Sequence, residues 1–240
     1  MARTKRAKHT EEDFEMEPKQ LPILKSVKVN LKCKNDRQKL FSKLINHYDI
    51  TICAGPAGTG KTFIACAEAL KLLIAPNSTY KKIIIVKSVT VLEGEEIGFL
   101  KGTMHDKMEP FMFSFMDNFH KIIGKEVSDG LLATEIIQVL PLAYVRGRSI
   151  DNAIIIVDES QNLPKHHIIS TVTRIGENSK MIFLADEDQI DLRKKETSGI
   201  TWFIDSCEGL EEFGTMRFEE EDIVRNPLIL KFLKHIASTN

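Results

Sequence analysis

Apolar residues in this chain fall into short unbroken runs, separated by stretches where they recur every three or four positions. The unbroken runs cover residues 48–54, 82–88, 135–140, 153–157, 180–185 and 214–218, and each predicts a strand. The run at 82–88, Lys-Ile-Ile-Ile-Val-Lys-Ser, is that of a strand buried on both faces, and such strands lie in parallel sheets. Helical spacing covers 35–46, with Asn35 or Asp36 as cap, then 62–73, 163–175 with Pro164 in its first turn, 198–207 and 227–237. Strand and helix alternate, so the expected class is α/β, three layers with a mostly parallel sheet and helices on both faces.

Two regions depart from this alternation. Residues 1–20 carry Arg3, Lys5, Arg6 and Lys8, then Glu11, Glu12 and Asp13, with few apolar positions. They read as a flexible tail, either merely solvated or adding affinity for a nucleic acid. Residues 89–134 hold Gly94, Gly98, Gly102 and Gly124, and a Met/Phe-rich stretch at 108–119 of helical character, with Pro110 interrupting its start. Its aromatics serve a core or subunit interface, or stack on bases. Residues 21–240 are expected to form a single domain, and no internal repeat is detected.

The strand at 48–54 runs into Gly55-Pro56-Ala57-Gly58-Thr59-Gly60-Lys61-Thr62, which opens the helix at 62–73. Strand, glycine-rich loop and helix in this order form a phosphate-binding loop. Glycines let successive backbone N–H groups curl inward around phosphate oxygens, and the helix adds its positive end. Lys61 is placed to reach the β- and γ-phosphates, and the Thr62 hydroxyl to ligate Mg2+. The pattern arises by chance in about one chain in a hundred of this length, before its flanks are considered.

A second constellation completes the chemistry. The run at 153–157 delivers Asp158-Glu159-Ser160-Gln161 to the carboxyl end of a strand, where ligands of open α/β sheets bind. Asp158 is placed to hold Mg2+, directly or through water. Glu159 is placed to polarise a water for in-line attack on the γ-phosphorus. The strand at 180–185 ends in Asp186-Glu187-Asp188-Gln189. If it lies between the phosphate-loop strand and the Asp158 strand, Gln189 faces the γ-phosphate and senses its presence. Gln38 has an amide that suits the N6/N7 edge of adenine, or is an exposed helix glutamine. Tyr144-Val145-Arg146-Gly147-Arg148 is either a solvated turn or a phosphate contact.

Composition narrows the class. With 42% hydrophobic and 28% charged residues, the chain is that of a soluble globular protein. No apolar run approaches the roughly 20 residues of a membrane span, and no signal peptide is visible. The cysteines, Cys33, Cys53, Cys66 and Cys207, form no C-x-x-C pair. They read as buried free thiols in a cytoplasmic protein. A net charge of −1 means that any nucleic-acid contact must come from a local basic patch.

Taken together, these motifs resemble the PhoH-like ATPases of bacteria and their viruses. The resemblance extends over residues 35–235 and is carried by residues 55–62, Gly-Phe-Leu-Lys-Gly at 98–102 and Pro-Leu-Ala-Tyr-Val-Arg-Gly-Arg at 141–148. Asp-Glu-Ser-Gln-Asn at 158–162, residues 174–180, Asp-Gln-Ile-Asp at 188–191 and Asp-Ile-Val-Arg-Asn-Pro at 222–227 extend it. The resemblance implies a RecA-like core related to the N-terminal motor domain of superfamily 1 helicases, acting on ATP and Mg2+. It implies that Gln38 reads adenine and that Lys61, Thr62, Asp158, Glu159, Gln161 and Gln189 form the ATP site. Lys87, Ser88 and Thr90 would touch the backbone of RNA or single-stranded DNA, and Arg225 would complete the nucleotide site. This chain departs from the family pattern at Ala185, Asp188 and Asn226, where glycine, threonine and histidine are usual.

The function expected is Mg2+-dependent ATP hydrolysis coupled to binding or remodelling of RNA or single-stranded DNA. One RecA-like domain lacks the second that a helicase monomer closes on its nucleotide. An arginine from a facing surface adds about three to five powers of ten to hydrolysis. Arg225 in cis, or Arg146 or Arg148 from a neighbour, would supply it, and a homo-oligomer such as a ring is expected. A nucleotide-binding regulator or assembly factor with little turnover is the alternative. A kinase is disfavoured by Glu159, and a GTPase by the absence of an Asn-Lys-x-Asp sequence.

Overall fold

Every unbroken apolar run of the sequence becomes a strand: β1 Ile50–Ala54, β2 Lys82–Lys87, β3 Ile137–Pro141, β4 Ala153–Asp158, β5 Lys180–Leu184 and β6 Phe213–Arg217. The structure is a computed structural model that describes residues 22–87, 104–145, 147–192 and 197–224. The strands form one sheet in the order β3-β2-β4-β5-β1-β6. Every neighbouring pair is parallel. The helices are α1 Pro22–Ser26, α2 Asp36–His47, α3 Lys61–Ile74, α4 Met104–Ile123, α5 Lys125–Ala133, α6 Leu142–Val145, α7 Lys165–Val172 and α8 Ile200–Ser206.

Strand alternation sorts the core into two layers. Cys53, Ile83, Ile85, Ile154, Ile156, Ile182 and Leu184 face α2, α3, α4 and α5. Ile52, Ile84, Val86, Ile155, Val157 and Phe183 face α7 and α8. The helices cover both faces, as an all-parallel sheet requires. Met112, Phe115, Met116 and Phe119 of α4 are buried in the first layer, so these members of the Met/Phe stretch are core. Phe113 points outward at 65% exposure.

Several boundaries differ from the sequence expectation for local reasons. Tyr48 is the C-cap of α2, its N–H bonded to the Leu44 carbonyl, so β1 starts at Ile50. Pro164 is an extended N-cap of α7 rather than part of its first turn, and it forms a bridge with Ser198. Ile175 leaves the helical pattern because it bridges to Ile150. The helix α4 runs through Pro110 instead of starting after it. Cys53, Cys66 and Cys207 are buried free thiols, while Cys33 is only half-buried. The expected tail at 1–20, the expected helix at 227–237, and Ser88, Thr90, Arg146 and Arg225 lie outside the described residues.

Candidate active site

The phosphate loop leaves β1 with a sharp turn. Gly55 has φ +135°, and a Cβ there would sit 2.6 Å from the Phe218 carbonyl oxygen, so only glycine fits. Gly60, at φ +89°, is the N-cap of α3. The loop is braced from outside. The buried Gln38 amide donates to the Thr59 carbonyl at 2.8 Å and accepts from the Lys34 N–H at 2.7 Å. The Val224 N–H donates to the Gly58 carbonyl at 2.9 Å. Lys61 Nζ folds onto the loop, donating to the carbonyls of Gly55 at 2.5 Å and Pro56 at 2.8 Å. Burial pulls the Lys61 ammonium below the usual lysine range, while Asp186, Asp158 and Glu159 oppose that shift.

β5 lies between β1 and β4, which fulfils the condition placed on Gln189. The carboxyl ends of these strands bracket one cleft of about 520 Å3, lined by the loop, Lys61, Thr62, Asp158, Glu159, Gln161, Asp186 and Gln189. Asp158 ends β4 on the face that carries Ile154 and Ile156, the side of α3. The register sets it beside Lys87, the last residue of β2. Glu159 has φ +52°, a left-handed conformation that a side chain other than glycine adopts only when its surroundings hold it there.

Those surroundings centre on Gln161, which is fully buried. Its amide N–H groups donate to the Glu159 carboxylate at 2.7 Å and to the Gln189 carbonyl at 3.0 Å. Its amide oxygen accepts from the Asp186 N–H at 2.9 Å. Ser160 adds a bond to the Leu184 carbonyl at 2.7 Å. The ends of β4 and β5 are thereby fixed to one another. Gln189 is tied in turn, its side-chain amide donating to Asp186 at 2.9 Å. The departure at Asp188 does not load this cleft with a further carboxylate. Asp188 lines a neighbouring cleft of about 400 Å3, with Glu187, Glu219, Glu220 and Glu221, on the other side of Gly55 and Pro56.

The PhoH-like protein family matches residues 30–237. The chain belongs to this family. It is 34% identical over 211 residues to the PhoH-like protein of Bacillus subtilis (strain 168), an alignment covering 88% of this chain and 65% of that protein. It is 35% identical over 204 residues to the PhoH-like protein of Synechocystis sp., covering 85% and 61%. It is 33% identical over 202 residues to the protein PhoH of Escherichia coli (strain K12), covering 83% and 56%. The chain thus spans 56–65% of the length of these curated relatives. Among the described residues, no helix is long and apolar enough to cross a membrane.

Within this PhoH-family fold, the expected site residues are distributed unevenly. Lys61, Thr62, Asp158, Glu159 and Gln189 line the cleft together with Ala57, Gly58 and Gly60. Gln38 stands behind the loop, leaving one amide hydrogen and one oxygen lone pair beyond the bonds it makes. Lys87 lies at the carboxyl edge, its Nζ 5.9 Å from the centre of the Phe115 ring. Arg148 is exposed and is not among the residues lining the cleft. Two lining residues, Asn118 and Lys121, come from α4 and were not foreseen. Only the packing of α4 across α3 brings them there, and no local motif announces that packing.

Thr62 and Asp158 offer two hard oxygen donors in one cleft, which suits Mg2+, an ion that keeps several waters and takes few protein ligands. Burial and the Glu159 charge raise the Asp158 carboxyl from 3.8 to about 6. A carboxyl raised on folding stabilises the fold at low pH and loses that contribution as pH rises through its folded value. In EDTA, Asp158→Asn is therefore expected to melt higher than the wild type at pH 7.5. The difference should shrink as pH falls from about 6 towards about 4. A gap that widens on acidification would contradict the burial argument.

Proposed function

We propose that the chain is a Mg2+-dependent ATPase whose turnover is coupled to RNA or single-stranded DNA. The observation that carries this reading is the common cleft of the phosphate loop and the Asp158–Glu159 pair, held across β5. In this reading the loop N–H groups and Lys61 hold the phosphates, and Gln38 reads the adenine edge with its remaining donor and acceptor. Thr62 and Asp158 would hold Mg2+, which would supply positive charge to offset that of the phosphates. Glu159 takes a proton from the water that attacks the γ-phosphorus, giving ADP and phosphate. Gln189 reports the γ-phosphate to the β5 loop.

Turnover would be completed by an arginine: Arg225 in cis, or Arg146 or Arg148 from a second copy in a homo-oligomer such as a ring. Lys87, Ser88 and Thr90 would meet the nucleic-acid backbone. A second reading, a nucleotide-bound regulator with little turnover, is favoured by one observation. Both Glu159 and Lys61 are engaged by protein partners.

The test is phosphate release from Mg·ATP, with and without single-stranded RNA or DNA, across a salt series. The expected result is turnover that nucleic acid stimulates at low salt and progressively less at high salt. ATP binding without turnover under every condition would favour the regulator. An absence of ATP binding would overturn both readings.

A further inference from the structure

The cleft has a cation that the phosphate-loop pattern does not account for. Lys121 lies in the last turn of α4, just before Gly124, whose φ of +83° follows the end of the helix. Asn118, one turn earlier on the same side, lines the cleft with it. The inner side of this helix is fixed, because Phe115 and Phe119 are fully buried against the sheet layer. The backbone that carries Lys121 is thus held, while its side chain is 65% exposed and open to the cleft.

Charge within the cleft makes the position informative. Asp158, Glu159 and Asp186 line it as carboxylates, and among the described lining residues the basic ones are Lys61 and Lys121. Lys61 is bound to the loop carbonyls at 2.5 and 2.8 Å, on the loop side of the cleft. Lys121 comes from α4 and lines the same cleft as Glu159 and Gln189, a cleft that Gln38 does not line. Its partner is Asp117, at 3.0 Å and itself 68% exposed. An exposed pair of that kind is weak, so a phosphate group offering several charged oxygens competes with it easily.

We infer that Lys121 leaves Asp117 to contact the terminal phosphate of a bound nucleoside triphosphate, giving the cleft a cation in cis that distinguishes triphosphate from diphosphate. This rests on the nucleotide reading above and adds a residue to it. The Lys121 ammonium donates to γ-phosphate oxygens from the end of α4 and offsets the carboxylates facing the same group. Loss of the γ-phosphate returns it to Asp117. The end of α4 thereby registers hydrolysis.

The experiment measures affinities of the full chain for Mg·ATPγS and Mg·ADP by calorimetry, with kcat for ATP, in wild type, Lys121→Ala, Lys121→Arg and Lys61→Ala. Lys121→Ala is expected to weaken ATPγS by about tenfold, to leave ADP within about twofold, and to lower kcat. Lys121→Arg should restore most of the ATPγS affinity. The melting temperature of Lys121→Ala should match the wild type, because the side chain is exposed. If wild type binds both nucleotides and Lys121→Ala matches it for both affinities and kcat, this assignment alone falls. Equal weakening of ATPγS and ADP also overturns it, since the γ-phosphate is then not what Lys121 touches. If wild type binds neither nucleotide and matches Lys61→Ala, the nucleotide reading falls and takes this assignment with it.

Discussion

Glu159→Gln is expected to bind Mg·ATP within about threefold of the wild type while kcat falls by about a thousandfold. The two halves of this expectation have separate causes. Binding survives because the change is isosteric and the new amide oxygen still accepts from Gln161, which holds residue 159 in its left-handed conformation. Removing a negative charge from a cleft that must take a polyphosphate also favours binding slightly. Turnover fails because an amide cannot take the proton of the attacking water. General-base groups of this kind contribute about two to four powers of ten. Single-turnover phosphate release with preformed Mg·ATP complex checks it. A kcat within about threefold of the wild type would remove Glu159 from the chemistry.

Lys61→Ala should raise the dissociation constant for Mg·ATP by about a hundredfold or more. Lys61 lies at the base of the loop, its ammonium already aimed at the inside of the turn by the Gly55 and Pro56 carbonyls. Charge-assisted hydrogen bonds are each worth about 1.5–3 kcal/mol, and the ammonium makes more than one to a triphosphate. A further effect acts in the same direction. The Lys61 charge favours ionised Asp158 and Asp186, so its loss makes both harder to ionise. The Mg2+ site is weakened along with the phosphate site. Calorimetric titration of the variant with Mg·ATP gives the number. Affinity within about threefold of the wild type would contradict the assignment of the loop.

Legibility in the sequence followed the range of the interaction. Strands and phosphate loop were readable because their signals are local: an unbroken aliphatic run such as 82–88, or glycines at the positions where the backbone turns left-handed. The acidic pair was readable because a buried strand must end, and Asp158 and Glu159 stand where β4 does. Other features depend on contacts between distant segments. The three bonds of Gln161 join residues 25 to 28 positions apart as well as its near neighbour. The place of Lys121 depends on how α4 crosses α3, and the direction of Asp188 on a turn pinned by Asp186. Pro164 and Ile175 left their expected helix because distant partners, Ser198 and Ile150, claimed them as bridges.

A crystal structure of the chain with Mg2+ and a non-hydrolysable ATP analogue tests the central claim most directly. The expected density has the β- and γ-phosphates within the 55–62 loop and against Lys61, with Mg2+ between the Thr62 hydroxyl and Asp158. A water should lie between Glu159 and the γ-phosphorus. An analogue bound outside this cleft, or metal held by neither Thr62 nor Asp158, would contradict the account.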